Sequence, residues 1–485
     1  MKPSLRSLLL ASLVACRGRA APPDGSVSRG AIADAASRPD VAPPDVRAAE
    51  PRSNPVVRCE ARGPDVALPA LRVDDLSLIA RENRAMLVAY QLAHAAHEGM
   101  DVPRGDDNSI RSSSWWSSDA VGDGGAAAWR RDSIGAAPRV QDPDEADILF
   151  PSSWVSTYQV AALADDAFSR WTFASAWGNM ACSPSGSLRG RVGDRLSREV
   201  LGDTLSPQIV RAASDGSTSI AAGIFTSNEV GCGTEFTQVD VFRASPRGLA
   251  RSSLVAPASA ATESVDDEGE VTARTPTAVP DTLAIALEAR GAAVVLRYNY
   301  NEYRLALVGR DGALLQRARR IYRGASATER APTVGTPTMA FFRGELVLVW
   351  PERRTARERF RLRWARWDPF AHRGDAGAST MVPTDLGPTV ETHQSEPVIV
   401  ASSDLLALAW VEGGLSGAAK VMYAVAPSID ALAAAPSVAL VDAPAETRSP
   451  RLAIEANQLW AAWREGIGAQ SRAGSPVRVR SMLCR

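Results

Sequence analysis

Pro337–Glu352 reads P-T-M-A-F-F-R-G-E-L-V-L-V-W-P-E, and its frame recurs twice more along the chain. Trp350 follows Pro337 by thirteen residues and Glu352 follows two later; Pro397, Trp410 and Glu412 keep the same spacing, as do Pro450, Trp463 and Glu465. Tryptophan is rare, so three matches to P-x12-W-x-E mark an internal repeat. Each copy holds two apolar runs around a turn. Met339–Phe342 and Glu345–Trp350 flank Arg343-Gly344; Pro397–Ala401 and Leu405–Val411 flank Ser402-Ser403-Asp404; Leu452–Glu455 and Leu459–Trp463 flank Ala456-Asn457-Gln458. Runs of four to six residues rich in Val and Leu around such turns are β-hairpins. A third run follows each: Phe360–Trp367, Ala419–Ala426 and Val477–Leu483.

The tryptophans are spaced by 60 and 53 residues. Three or four strands per repeat at such a period resemble the blade of a β-propeller. Weaker copies lie upstream at Ala292–Tyr298, Ile220–Phe225, Trp171–Trp177 and Leu76–Tyr90. The expected fold is all-β, a propeller of about seven blades with six also open. Gly99–Asp147 breaks the pattern with Gly, Ser and Asp around Trp115, Trp116 and Trp129, and reads as a loop inserted in the first blade. Val265–Thr275, with its acidic run, reads as a loop between blades.

Ahead of the repeats, Lys2 and Arg6 precede the apolar run Leu8–Val14, which ends in Leu13-Val14-Ala15-Cys16. The run is too short to span a membrane. It resembles the signal of bacterial lipoproteins with its lipobox. That resemblance implies cleavage before Cys16, lipid on its thiol, and anchoring to the cell envelope, on the periplasmic face or the cell surface. Arg17–Val57 has almost no large apolar residues and cannot bury enough surface to fold. It is expected to be a tether with a reach of about 35 Å.

Beyond Cys16 the cysteines are Cys59, Cys182, Cys232 and Cys484. Four allow three pairings. Cys59–Cys484 with Cys182–Cys232 is favoured, because a propeller closes by pairing its first strand into its last blade.

The chain has 54 basic and 55 acidic residues, so nothing in its balance favours nucleic acid. Asp215-Gly216 lacks the spacing and Trp of the Asp box of sialidase-type propellers, and reads as a hairpin turn. His94 and His97 lack a metal-protease frame, and Asp142, Asp144, Glu145 and Asp147 lack the calcium-loop glycine. No phosphate loop, dinucleotide fingerprint or nucleophile elbow is found, so no cofactor or metal is expected. Trp350, Trp410 and Trp463 are expected to pack between blades, leaving Glu352, Glu412 and Glu465 either to line a ligand face or to satisfy local donors. Trp115, Trp116, Trp129 and Arg130 are candidates for a contact surface. The leading expectation is therefore a monomeric, non-enzymatic binding or scaffold module for an envelope protein or glycan. The alternative is a hydrolase or lyase acting on an extracellular glycan, which needs Glu, Arg and Tyr brought together.

Overall fold

The Val- and Leu-rich run of each repeat forms the second strand of an antiparallel sheet, four-stranded in the first two repeats and five-stranded in the last. The computed structural model describes residues 57–485 apart from intervening stretches, the longer being 93–110, 119–128, 137–153, 163–169, 372–380 and 466–476. Two short strands come first, β1 (Cys59–Ala61) and β2 (Val66–Leu68). Three sheets follow, each laid down in chain order. The first is β3 (Val73–Arg81), β4 (Arg84–Leu92), β5 (Arg111–Ser118) and β6 (Trp129–Ala136). The second is β7 (Trp154–Ala162), β8 (Arg170–Trp177), β9 (Pro184–Val192) and β10 (Arg195–Val200). The third is β11 (Leu205–Ser214), β12 (Ser219–Asn228), β13 (Glu235–Ser245) and β14 (Gly248–Ser259).

A hairpin of β15 (Ala261–Val265) and β16 (Val271–Pro276) intervenes, so much of the stretch expected as a loop between blades is paired strand, while the acidic run itself lies outside the described residues. Next come β17 (Pro280–Glu288), β18 (Gly291–Tyr298), β19 (Glu302–Val308) and β20 (Leu314–Arg323). They are followed by β21 (Thr338–Phe342), β22 (Glu345–Glu352), β23 (Arg361–Trp367) and β24 (Thr384–Asp385). The next sheet is β25 (His393–Ala401), β26 (Leu406–Gly413), β27 (Ala419–Ala426) and β28 (Val438–Ala439). In the last, β29 (Thr447–Glu455), β30 (Gln458–Glu465) and β31 (Val477–Cys484) are completed by β1, with β2 also on β31. Among the described residues the one helix is α1 (Ile429–Ala434), capped by Ser428, whose side chain accepts from the Ala431 N–H. No helix among them is long and apolar enough to cross a membrane.

The second strands β18, β22, β26 and β30 bury nearly every side chain, because their sheets have a neighbour on both faces. Trp350 packs with Tyr303, Leu305 and Leu307 of the preceding sheet, Trp410 with Val347, Val349 and Trp364, and Trp463 with Ala407, Ala409 and Val411. The tryptophans therefore fill the wedges between successive sheets. First strands touch in series, β3 to β7, β11, β17, β21, β25 and β29, and β29 in turn touches β3. Leu76, Leu78, Ala85 and Leu87 of the first sheet share a core with Trp460, Ala462, Val477 and Val479 of the last. Arg451 Nε donates to Leu76 O across the same seam, at 2.6 Å.

The spacing P-x12-W-x-E encodes a β-bulge. The ladder pairs Thr338 with Val349, Val398 with Ala409 and Arg451 with Ala462. One step further, in the same register, sets Pro337, Pro397 and Pro450 opposite Trp350, Trp410 and Trp463. Beyond the proline the register has slipped by one residue, so Glu352, Glu412 and Glu465 pair with Val334, Gln394 and Thr447. Proline, with no N–H to donate, is tolerated in a strand at such a bulge. The residues before the last two prolines, Glu396 and Ser449, take φ of 49° and 54°. Equivalent slips open β3, β7, β11 and β17.

The inserted loop expected over Gly99–Asp147 is corrected. Arg111–Ser118 and Trp129–Ala136 within it are the third and fourth strands of the first sheet, with Trp115 paired to Val88 and Asp132. Paired backbone amides define a strand whatever the side chains, so a Ser-rich segment without alternating apolar residues still joins the ladder.

Candidate functional site

The three Trp-x-Glu ends are alike in register and differ in chemistry. At the first, Trp350 is wholly buried and its indole Nε1 donates to Glu352 Oε2 at 3.1 Å. The other oxygen, Glu352 Oε1, accepts from the Tyr322 hydroxyl at 2.6 Å. Arg363 Nε lies 3.6 Å from Glu352 Oε2. Tyr322 belongs to β20, the fourth strand of the preceding sheet, so the pair joins two sheets. Its ring lies 5.2 Å from Trp350 and 6.2 Å from Tyr303, and Tyr303 meets Trp350 edge-on at 5.9 Å. Burial, followed by the hydrogen bond to Glu352, pushes the Tyr322 phenol well above its ordinary value. At the other ends Glu412 accepts from Thr392 Oγ1 at 2.9 Å and Glu465 from Arg478 Nε at 3.0 Å. Trp410 Nε1 and Trp463 Nε1 are buried with no hydrogen-bond partner among the described residues. Of the three glutamates, only Glu352 is joined to a phenol from the neighbouring sheet.

Beside this pair lies a carboxylate that the sequence reading missed. Asp281 stands at the slip between Pro280 and Thr282 at the start of β17. Continuing the Thr282–Arg297 register sets it opposite Tyr298, the slot that proline fills in the later repeats. Bulges aim side chains at sites of this kind. Asp281 Oδ1 accepts from Arg297 Nε at 2.6 Å, while Oδ2 is buried without a partner among the described residues. Burial outweighs the arginine and holds the carboxyl above its ordinary value. Arg297 also donates to Val334 O at 2.9 Å, and its guanidinium lies 5.5 Å from the Tyr300 ring.

Tyr303 ties the two parts together. Its hydroxyl donates to Gly335 O at 2.8 Å, and its phenol, pushed up chiefly by burial, feels the charges of Arg297, Glu352 and Asp281. Two groups therefore lie in the wedge between the β17–β20 and β21–β24 sheets, Asp281 with Arg297 and Tyr322 with Glu352 and Arg363, and Tyr303 feels the charges of both. One holds a carboxylate hydrogen-bonded to a phenol, the other a carboxyl that burial shifts upward, and each has an arginine beside it.

Cys59 and Cys484 are disulfide-bonded and lie opposite one another in the β1–β31 ladder. Cys16, Cys182 and Cys232 lie outside the described residues. Trp115 and Trp116 stand in β5, and Trp129 and Arg130 open β6; their side chains lie outside the described residues. At the Asp215 turn, whose residues 216–217 lie outside the described ones, the Thr218 N–H donates to Asp215 Oδ1 at 2.9 Å and Arg310 pairs with the other carboxylate oxygen.

No family model matches the sequence. No curated protein matches it either. Among solved structures, the chain is similar to Trypanosoma rangeli sialidase in complex with sialic acid, with 9% identity and a TM-score of 0.40 over 77% of this chain and 59% of that one. It is similar to native Bacillus subtilis arabinanase, with 8% identity and a TM-score of 0.33 over 87% and 97%. It is also similar to uncomplexed Pyrococcus horikoshii acylaminoacyl peptidase, with 7% identity and a TM-score of 0.39 over 85% and 52%. The chain spans a little over half the length of the sialidase chains it matches. These likenesses concern overall shape and assign no role to any residue here. They do correct one expectation: the neighbours of this fold are named as enzymes, several of them glycosidases, and the non-enzymatic binding or scaffold module is given up.

Proposed function

We propose that this chain is a glycan hydrolase built on a closed, seven-bladed β-propeller, exported and held to the cell envelope by lipid on Cys16. The observation that carries the enzymatic reading is the Tyr322–Glu352 hydrogen bond, 2.6 Å long, in the same wedge as Asp281, whose carboxyl burial holds above its ordinary value. Glycoside cleavage needs a nucleophile or base on one side of the bond and an acid on the other. In this reading Tyr322 Oη attacks the anomeric carbon while Glu352 takes its proton; some glycosidases use a tyrosine in this way. The buried Asp281 carboxyl gives its proton to the departing oxygen, and water later releases the sugar from the tyrosine. Arg297 holds the Asp281 carboxyl and Arg363 the Glu352 carboxylate in place, and Trp350 and Tyr303 wall the phenol. A pair that abstracts a proton also suits a lyase, whose product is an unsaturated sugar instead of a hydrated one.

The ring reading is supported by the series of first-strand contacts that returns from β29 to β3, and by the completion of the last sheet by β1. The lipid anchor rests on the Leu13-Val14-Ala15-Cys16 motif. Cys182–Cys232 remains the second disulfide of this reading, and Trp115, Trp116, Trp129 and Arg130 remain candidates for holding sugar. The test is a panel of polymeric glycans and aryl glycosides incubated with the purified protein. Release of reducing ends from at least one, without an ultraviolet-absorbing unsaturated product, is expected. No release from any member overturns the proposal, and an unsaturated product replaces hydrolase with lyase.

A further inference from the structure

We infer that the loop between β22 and β23 is a binding surface for an acidic polysaccharide, one with carboxylate or sulfate groups on successive sugars. The inference deepens the proposed glycan reading and rests on it for the class of polyanion. The loop leaves Glu352 as Arg353-Arg354-Thr355-Ala356-Arg357-Glu358-Arg359-Phe360-Arg361. Five arginines stand in nine residues of a chain whose formal net charge is −1, so the excess is local.

The loop is built, with its parts divided between support and display. Arg353 is spent on support: Nε donates to Pro332 O at 2.8 Å, one terminal nitrogen donates to Ala356 O at 3.0 Å, and the guanidinium lies 4.5 Å from the Phe360 ring. The loop's one acid is also used internally, with Glu358 Oε2 accepting from the Arg354 N–H at 3.0 Å. The far end is tied to the next sheet: the Phe360 N–H donates to His393 Nδ1 at 3.2 Å and the Gln394 N–H to Phe360 O at 3.0 Å. What remains is display. Arg354, Arg357 and Arg359 are exposed, and their side chains make no hydrogen bond or ion pair among the described residues.

Guanidinium groups pair with carboxylates and sulfates through two parallel hydrogen bonds. A single exposed ion pair is weak and screened by salt. Three on one ordered loop therefore favour a ligand with several charges over a single anion. The loop begins one residue beyond Glu352, the acceptor of the Tyr322 hydroxyl. Duplex nucleic acid is the poorer fit, because the whole chain supplies no basic field to attract it.

The experiment measures binding of polygalacturonate and dextran sulfate, with neutral dextran, a short DNA duplex and phosphatidylglycerol vesicles as the other arms. The intact protein is compared with the triple variant Arg354→Ala, Arg357→Ala, Arg359→Ala. Both acidic polymers should bind and neutral dextran should not. The triple variant should bind at least tenfold more weakly, and the slope of log affinity against log salt should fall by about two to three. Absence of binding to both acidic polymers, or equal binding by the variant, overturns the inference. So does tighter binding of DNA or vesicles than of either polysaccharide at the same salt. None of these readings requires turnover. A protein that binds the polymers and cleaves no glycan sinks the hydrolase reading alone, while one that cleaves neutral glycans and ignores acidic ones sinks this inference alone.

Discussion

Asp281 carries opposed influences: burial, which favours the protonated carboxyl, against Arg297 and the backbone N–H groups of Asp281 and Tyr300, which favour the carboxylate. Burial is the larger, so the folded chain holds this proton more tightly than the unfolded one does. The stability it contributes is fully present below the ordinary carboxyl value and is lost as pH rises through the raised one. The difference in unfolding free energy between wild type and Asp281→Asn should therefore fall as pH rises through the weakly acidic range. A difference that rises instead identifies the group as an ordinary ion-paired aspartate. In the proposed reaction the same group sets the basic limb of the pH–rate profile, which Asp281→Asn should abolish. Tyr322 obeys the same sign: its raised phenol adds to the loss of stability at strongly alkaline pH, and Tyr322→Phe should remove that share.

Strand by strand, the repeat's constraints come from packing and register. Trp463 is fully buried between the last two sheets, and Trp463→Ala should cost about 3–5 kcal/mol of unfolding free energy in denaturant titration. The Cys59–Cys484 bond sits where β1 completes the last sheet, beside Asp65 on Arg480 and Glu60 on Arg485. Cys484→Ser should cost about 2–5 kcal/mol, read as a lower Tm. An unchanged Tm contradicts the role of β1 as a structural strand.

These elements also show what a sequence can disclose. Second strands were legible because both their faces are buried, which forces runs such as Leu346–Val349 and Leu406–Val411 to be apolar throughout. The bulges were not legible: Asp281 lies 17 residues before Tyr298, whereas Pro337 lies 13 before Trp350, because β17 and β18 make a longer hairpin. Trp115 and Trp116 looked like loop residues because their Ser neighbours show no alternation. Tyr322 gave no signal either, since its partner Glu352 is 30 residues away on another sheet.

At the scale of the molecule, successive sheets pack face to face and the site lies in one of the wedges between them. If Cys16 carries the proposed anchor, Cys16→Ser should move the protein from the membrane to the soluble fraction; retention at the wild-type level contradicts it. The packing of the sheets and the site depend on each other, because Tyr322 and Glu352 come from neighbouring sheets. The most direct test compares kcat for wild type, Tyr322→Phe and Glu352→Gln on a glycan that the wild type cleaves, with Tm measured for each. Both variants should lose about 100-fold or more in kcat at a Tm within a few degrees of wild type. Wild-type kcat in either variant would contradict the proposed reaction.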